Sequence, residues 1–297
     1  MEHLHRRQFL RAAASIGPAA WLSTACGSST STAAPTTSVP STANVLGAMF
    51  PRGEPYVISG VTNRLPFVVA GSDGAPLDRL AGDLTFRVRQ GDQDMGAIPA
   101  TVRGAGLAKP FVAVEWAPPA AGFYELTATY DGADLTPVAI QVFDPAEPTF
   151  PQLGAALPIV TTPTVLGPAG VDPICTADPP CPLHAVDLAA QRTTGRPVAV
   201  LVSTPAFCQT QACGPVLELV VAAAARRPNI DAIHVEVYAN PNQVDSIAQA
   251  AIAPAVEAWG FAFEPALMVV DAGGVLVRRL DLIFDGDEIA AALDAVS

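Results

Sequence analysis

The chain has 297 residues, half of them apolar and only 15 % charged, so it has ample material for a buried core and room for two ordinary domains. Its formal net charge of −12 argues against nucleic acid as a partner and against adhesion to anionic lipid by charge alone.

In chain order, the first signal is Arg6-Arg7 just ahead of an apolar run, Ala12 to Leu22, that contains Gly17 and Pro18. A helix rises about 1.5 Å per residue, so this run is too short to cross a hydrocarbon core of about 30 Å. A charged start, a short apolar stretch and small residues after it describe a signal peptide over 1–25. The string Arg6-Arg7-Gln8-Phe9-Leu10 resembles the twin-arginine export signal. Ser23-Thr24-Ala25-Cys26 resembles a lipobox, with Leu22 one place further back than usual. That resemblance implies a diacylglyceryl group on Cys26 and a covalent anchor at the outer face of a bacterial cytoplasmic membrane.

Residues 26–44 are Ser, Thr, Ala and Pro without apolar periodicity, and are expected to form a flexible tether. From 45 to 144 the pattern is all-β. Short alternating or β-branched runs (Tyr56-Val57-Ile58, Phe67 to Val69, Leu84 to Arg89, Phe111 to Trp116, Phe123 to Tyr130, Val138 to Phe143) are separated by turn residues. Strands at this spacing suggest a β-sandwich. The stretch Ala121-Gly122-Phe123-Tyr124-Glu125-Leu126 resembles a late strand of bacterial immunoglobulin-like domains. This implies that Tyr124 is the tyrosine-corner residue.

Six prolines between 145 and 170 fix φ and disfavour helix, so a stiff, extended linker is expected there. Residues 171–297 alternate strand and helix patterns. Val198 to Ser203 reads as a buried strand, Pro215 to Arg226 as a helix, and Ile230 to Tyr238 as a second strand. Val244 to Trp259 reads as a helix that Pro254 kinks or divides. Ala266 to Asp271 and Val275 to Leu280 flank Gly273-Gly274 as a hairpin, and Glu288 to Val296 reads as a last helix. The order β-α-β-α-β-β-α is that of the thioredoxin fold. The fold class expected is therefore multidomain, an N-terminal all-β immunoglobulin-like sandwich plus a C-terminal α/β thioredoxin-like fold.

Five cysteines occur. With Cys26 lipidated, four remain, Cys175, Cys181, Cys208 and Cys213, an even number that reads as two disulfides in an oxidising compartment. Sequence does not exclude crossed pairing. The run Val200 to Cys208 resembles the strand and loop leading to the first active cysteine of thioredoxins, and Glu264-Pro265 falls where that family carries its cis-proline. The stretch His184 to Pro197 resembles the entry of extracytoplasmic thioredoxin-like proteins of the TlpA and peroxiredoxin type. The resemblance implies thiol–disulfide exchange with a protein partner: Cys208 attacks, Cys213 resolves, and Pro265 shapes the peptide groove.

Two features depart from the family. Four residues, not two, separate the cysteines, and the family's buried acid maps to Val202, which cannot take a proton. Residues five apart on a regular helix differ by about 7.5 Å in height, so Cys208 and Cys213 can be bridged only if a loop joins them. In that case Gly214 would cap the following helix and Pro215 would take its first position. A second reading stands beside the redox one: a non-catalytic binding or assembly module held by structural disulfides.

Cys175-Thr-Ala-Asp-Pro-Pro-Cys181 reads as a structural disulfide across a rigid turn, or as a second redox pair. His184 lies three residues after Cys181, and His234 lies on a strand with Glu236 and Tyr238, where a buried hydrogen-bonded network is expected. Copper-delivering relatives carry a late histidine before the cis-proline, whereas Phe261-Ala262-Phe263-Glu264 offers none. No metal and no cofactor are expected.

Overall fold

The first nine strands are β1 (Val45–Ala48), β2 (Asn63–Ala70), β3 (Leu84–Gln90), β4 (Gln93–Ile98), β5 (Ala100–Arg103), β6 (Phe111–Trp116), β7 (Gly122–Tyr130), β8 (Ala133–Asp134) and β9 (Val138–Val142). Alternation of apolar and polar side chains sets the faces of β3, β7 and β9 among them. The computed structural model describes residues 44–208 and 212–297. The signal peptide, Cys26 and nearly all of the tether lie outside the described residues. The described chain is mostly β-sheet with few helices.

Two antiparallel sheets, ordered β1-β2-β6-β5 and β4-β3-β7-β8 with β9 also on β7, form a β-sandwich. In register Leu65 faces Val114 and Phe67 faces Val112, while Phe86 faces Ala128 and Val88 faces Leu126. All eight are buried, and the Phe67 and Phe86 rings meet between the sheets at 5.6 Å. The Tyr124 hydroxyl donates to the Ala120 carbonyl at 2.9 Å, and its ring packs edge-on against Trp116. One expected strand does not form. Tyr56-Val57-Ile58 makes only an isolated bridge from Ile58 to Phe143. The Asn63 side chain takes both the N–H and the carbonyl of Ile58 at 2.8 Å, the groups a ladder would need.

The C-terminal part contains α1 (Leu188–Gln191), β10 (Val198–Val202), α2 (Cys213–Ala225), β11 (Asp231–Val235), α3 (Pro254–Trp259), β12 (Ala266–Val270), β13 (Leu276–Asp281) and α4 (Gly286–Asp294). Its sheet runs β11-β10-β12-β13, with β10 parallel to β11 and the other pairs antiparallel. Strands β10 and β12 are buried on both faces, which is why they read as continuous apolar runs. On one face Leu201, Leu267 and Val269 pack with Val216, Val220, Ile289 and Leu293 of α2 and α4. On the other, Val200, Val202, Met268 and Val270 join Val256, Trp259 and Phe261 in a core that runs on into the sandwich.

The helix expected over 244–259 shrinks to α3. Pro254 occupies its first turn, where a missing N–H is no loss, and upstream only a single 3-10 turn, Ile247–Gln249, forms. Helix α4 starts at an Asp285–Glu288 capping box, in which each side chain accepts from the other residue's backbone N–H.

Residues 145–170 form no helix, but they are broken by hydrogen-bonded turns such as Gln152–Ala155 and Thr164–Gly167 rather than extended throughout, and they do not act as a spacer. Phe150 is buried against Phe261, Phe263 and Tyr56, and Pro158 accepts the Trp259 indole N–H at 2.9 Å. Gly154 and Leu157 donate to Leu276 and Gly274, so the segment lines the outer edge of β13. Gly260 ends α3 at φ 69°, and a Cβ there would stand 2.7 Å from the Thr149 carbonyl oxygen.

The sandwich is also tied directly to the C-terminal part. Arg64 of β2 makes a two-pronged ion pair with Glu288 and donates to the Asp281 and Ile283 carbonyls. Asp285 accepts from the backbone of Gly104 and Ala105. The sequence suggests two domains joined by a linker. Here the linker is core for both, because its aromatic and apolar residues have nowhere else to be buried.

Candidate functional site

Strand β10 ends at Val202, and Ser203 to Cys208 lead from it towards α2. Cys208 is half-buried, and Cys213, the first residue of α2, is fully buried. The two form a disulfide with Cα atoms 5.9 Å apart. As the helix geometry requires, Cys208 lies in a loop. Helix α2 starts earlier than expected, with Ala212 rather than Gly214 as its cap and Pro215 inside the first turn. Proline is still accommodated there, because the first-turn N–H groups have no intrahelical acceptor. The Cys213 backbone N–H points to Cys208 Sγ at 3.3 Å.

Pro265 immediately precedes β12, after a cis Glu264–Pro265 peptide. Glu264, which the sequence pattern does not single out as a site residue, also lies at this disulfide. Its Oε2 accepts from Thr204 N at 2.6 Å and lies 3.5 Å from Cys213 Sγ. Burial pushes its carboxyl up to about 7, against the pull of the Thr204 N–H, and nearby Glu236 raises it further. Glu264 thus places a carboxyl beside Cys213, whereas Val202 carries no titratable group. The signal was a carboxylate next to the proline that opens β12.

Cys175 and Cys181 do not form the expected disulfide. Both are thiols, and they lie with His184 and His234 in one cluster whose donor atoms are all within 4.8 Å of one another. His234 is the fourth residue of β11, opposite Leu201 of β10. Its Nδ1 is 3.5 Å from Cys181 Sγ, 3.8 Å from Cys175 Sγ and 3.3 Å from His184 Nε2. The two imidazoles lie beside the thiols, which are hydrogen-bonded to each other rather than joined by the disulfide the short loop was expected to carry. A hydrogen bond from Cys181 holds the Cys175 thiol well below the usual range, and the same bond pushes Cys181 up.

Glu236, one residue past β11, is fully buried and accepts from Thr176 N. Burial pushes its carboxyl up to about 7, while Thr176 and Thr204 pull it down. The satisfied network expected around His234, Glu236 and Tyr238 forms only in part: His234 and Glu236 each have partners but do not bond to each other, and Glu236 Oε2 has none. Thr176 Oγ1 accepts from Ala206 N at 3.2 Å, and Thr204 Oγ1 accepts from Val237 N at 3.0 Å.

No protein-family model matches the chain, and no curated protein does. Among solved structures, the filamin domain of Lin-41 is 16 % identical and aligns with 34 % of this chain and 91 % of its own, at a TM-score of 0.24. A putative lipoprotein from Bacillus anthracis is 10 % identical, covering 33 % of this chain and 73 % of its own, at a TM-score of 0.22. The ZirS C-terminal domain is 12 % identical over 42 % of this chain and 86 % of its own, at a TM-score of 0.23. Among the described residues no helix is long and apolar enough to cross a membrane.

Proposed function

We propose that this is a lipid-anchored, extracytoplasmic protein in which an immunoglobulin-like sandwich carries a thioredoxin-like domain that exchanges its Cys208–Cys213 disulfide with a protein partner. The observation that carries the reading is the half-buried Glu264 carboxyl beside Cys213, with a half-exposed Cys208 on the other side of the bond. A structural staple needs no proton donor next to one of its sulfurs. The twin-arginine-like leader and Cys26 supply the export and anchoring parts of the proposal.

The chemistry balances as follows. A partner thiolate attacks Cys208 Sγ, forming a mixed disulfide and breaking the Cys208–Cys213 bond. The electron pair leaves on Cys213 Sγ, which takes the Glu264 proton. A second partner thiolate attacks the partner's sulfur in the mixed disulfide and releases Cys208 as thiolate. The partner dithiol is oxidised and this protein is reduced. The reverse sequence oxidises this protein, with Glu264 accepting the Cys213 proton. Pro265, at the mouth of β12, borders the surface on which the partner chain would lie.

The test is trapping with Cys213→Ser. The reduced variant, incubated with a disulfide-bearing protein, is expected to accumulate a covalent adduct released by dithiothreitol. Cys208→Ser should form none. Absence of an adduct with Cys213→Ser would leave the non-catalytic, disulfide-stapled module as the better reading.

A further inference from the structure

We infer that Cys175 Sγ, Cys181 Sγ, His184 Nε2 and His234 Nδ1 form a four-ligand zinc site. This reverses the expectation from sequence that no metal is held, and it stands independently of the exchange reaction at Cys208.

The first argument is the tautomer of His234. Its Nε2 lies 3.0 Å from the Ser203 carbonyl oxygen and 3.0 Å from Ser203 Oγ. A carbonyl can only accept, so Nε2 carries the hydrogen and the neutral ring presents its Nδ1 lone pair to the cluster. A hydrogen bond that fixes the far nitrogen of a ligating imidazole is the usual support of a metal site.

The second argument is metric. Zinc bonds of about 2.3 Å to sulfur and about 2.05 Å to nitrogen, set tetrahedrally, place two nitrogens about 3.35 Å apart and a nitrogen and a sulfur about 3.55 Å apart. The observed separations from His234 Nδ1 are 3.3 Å to the other nitrogen and 3.5 and 3.8 Å to the two sulfurs. Three edges of the coordination polyhedron are thus already near the required length. The Cys181 backbone N–H also points to Cys175 Sγ at 3.3 Å, which steadies the charge of a ligating thiolate.

The third argument is the donor set. Two thiolates and two imidazoles in tetrahedral array select zinc among common divalent ions, and four protein ligands leave no open position, which marks a structural rather than a catalytic ion. Such an ion would clamp the 175–184 loop onto β11. Through Ser203 and the Thr176–Ala206 hydrogen bond it would also hold the segment that delivers Cys208. Binding would release the thiol protons, so occupancy should fall in acid.

The experiment is metal analysis of the full chain purified without chelator, followed by titration of the chelated protein with Co²⁺ and then Zn²⁺. About one zinc per chain is expected. Cobalt should give a thiolate charge-transfer band and intense tetrahedral ligand-field bands, both abolished by Zn²⁺. Cys208→Ser/Cys213→Ser should keep full stoichiometry, while Cys181→Ser or His184→Gln should lose it. The cobalt spectrum of the unmodified chain carries the test even if a variant fails to fold. Substoichiometric zinc without a tetrahedral cobalt spectrum would overturn the site. So would copper in place of zinc, a Cys175–Cys181 disulfide in peptide maps, or loss of metal on removing Cys208 and Cys213.

Discussion

Replacing Glu264 by Gln changes one atom and separates proton transfer from packing. The amide oxygen can still accept the Thr204 N–H that Glu264 Oε2 accepts at 2.6 Å, so the loop before β12 should keep its shape. What is lost is a group poised to titrate near neutrality, since burial raises this carboxyl to about 7. General acid–base catalysis contributes about 10²-fold or more, so reduction of the Cys208–Cys213 bond by a dithiol should slow by about 10² at neutral pH. The assay is the rate of thiol appearance, read by alkylation across the neutral range. The parent's pH profile should bend near pH 7 and the variant's should not. The same substitution has an equilibrium signature. A carboxyl whose pKa is raised by folding binds more protons in the native state. Its contribution to stability is therefore complete below the ordinary carboxyl pKa and is lost as pH rises through about 7. The shift sets an upper bound of roughly 3 kcal/mol on that loss. Glu264→Gln should flatten this part of the stability–pH curve. An unchanged rate and an unchanged profile in the variant would refute the proton-transfer role.

Two further predictions concern how the halves are joined. Arg64→Ala leaves the buried Glu288 carboxylate with only the more distant Arg103 at 3.9 Å and the Asp285 N–H, frees the Asp281 and Ile283 carbonyls, and should cost about 3 kcal/mol in a denaturant titration. Phe150→Ala removes a ring packed on Phe261, Phe263 and Tyr56, and should cost about 3–5 kcal/mol. A loss near zero would restore the simple-linker view of residues 145–170.

Much of the architecture could be read from the sequence because it depends on short-range pattern. The continuous apolar runs of β10 and β12 and the alternation in β3 and β7 announce their burial. The polar strands β4 and β5 carry no such signal, and they are strands only because β3 and β6 offer them hydrogen bonds. Ile58 shows the converse: an apolar run lost its ladder to one asparagine five residues away. At the site, Cys208, Cys213 and Pro265 could be picked out one by one from local motifs. Glu264 as the neighbour of Cys213, and the two histidines beside Cys175 and Cys181, could not. Those relations join residues about fifty positions apart, and they exist only once β10, β11 and β12 are paired.

The central claim, exchange at Cys208–Cys213, is tested most directly by the reduction potential of that pair, measured by equilibration against glutathione. An exchange-active pair should lie between about −270 and −120 mV, the range of thioredoxin-like oxidoreductases. A value below about −300 mV, where structural disulfides lie, would contradict it.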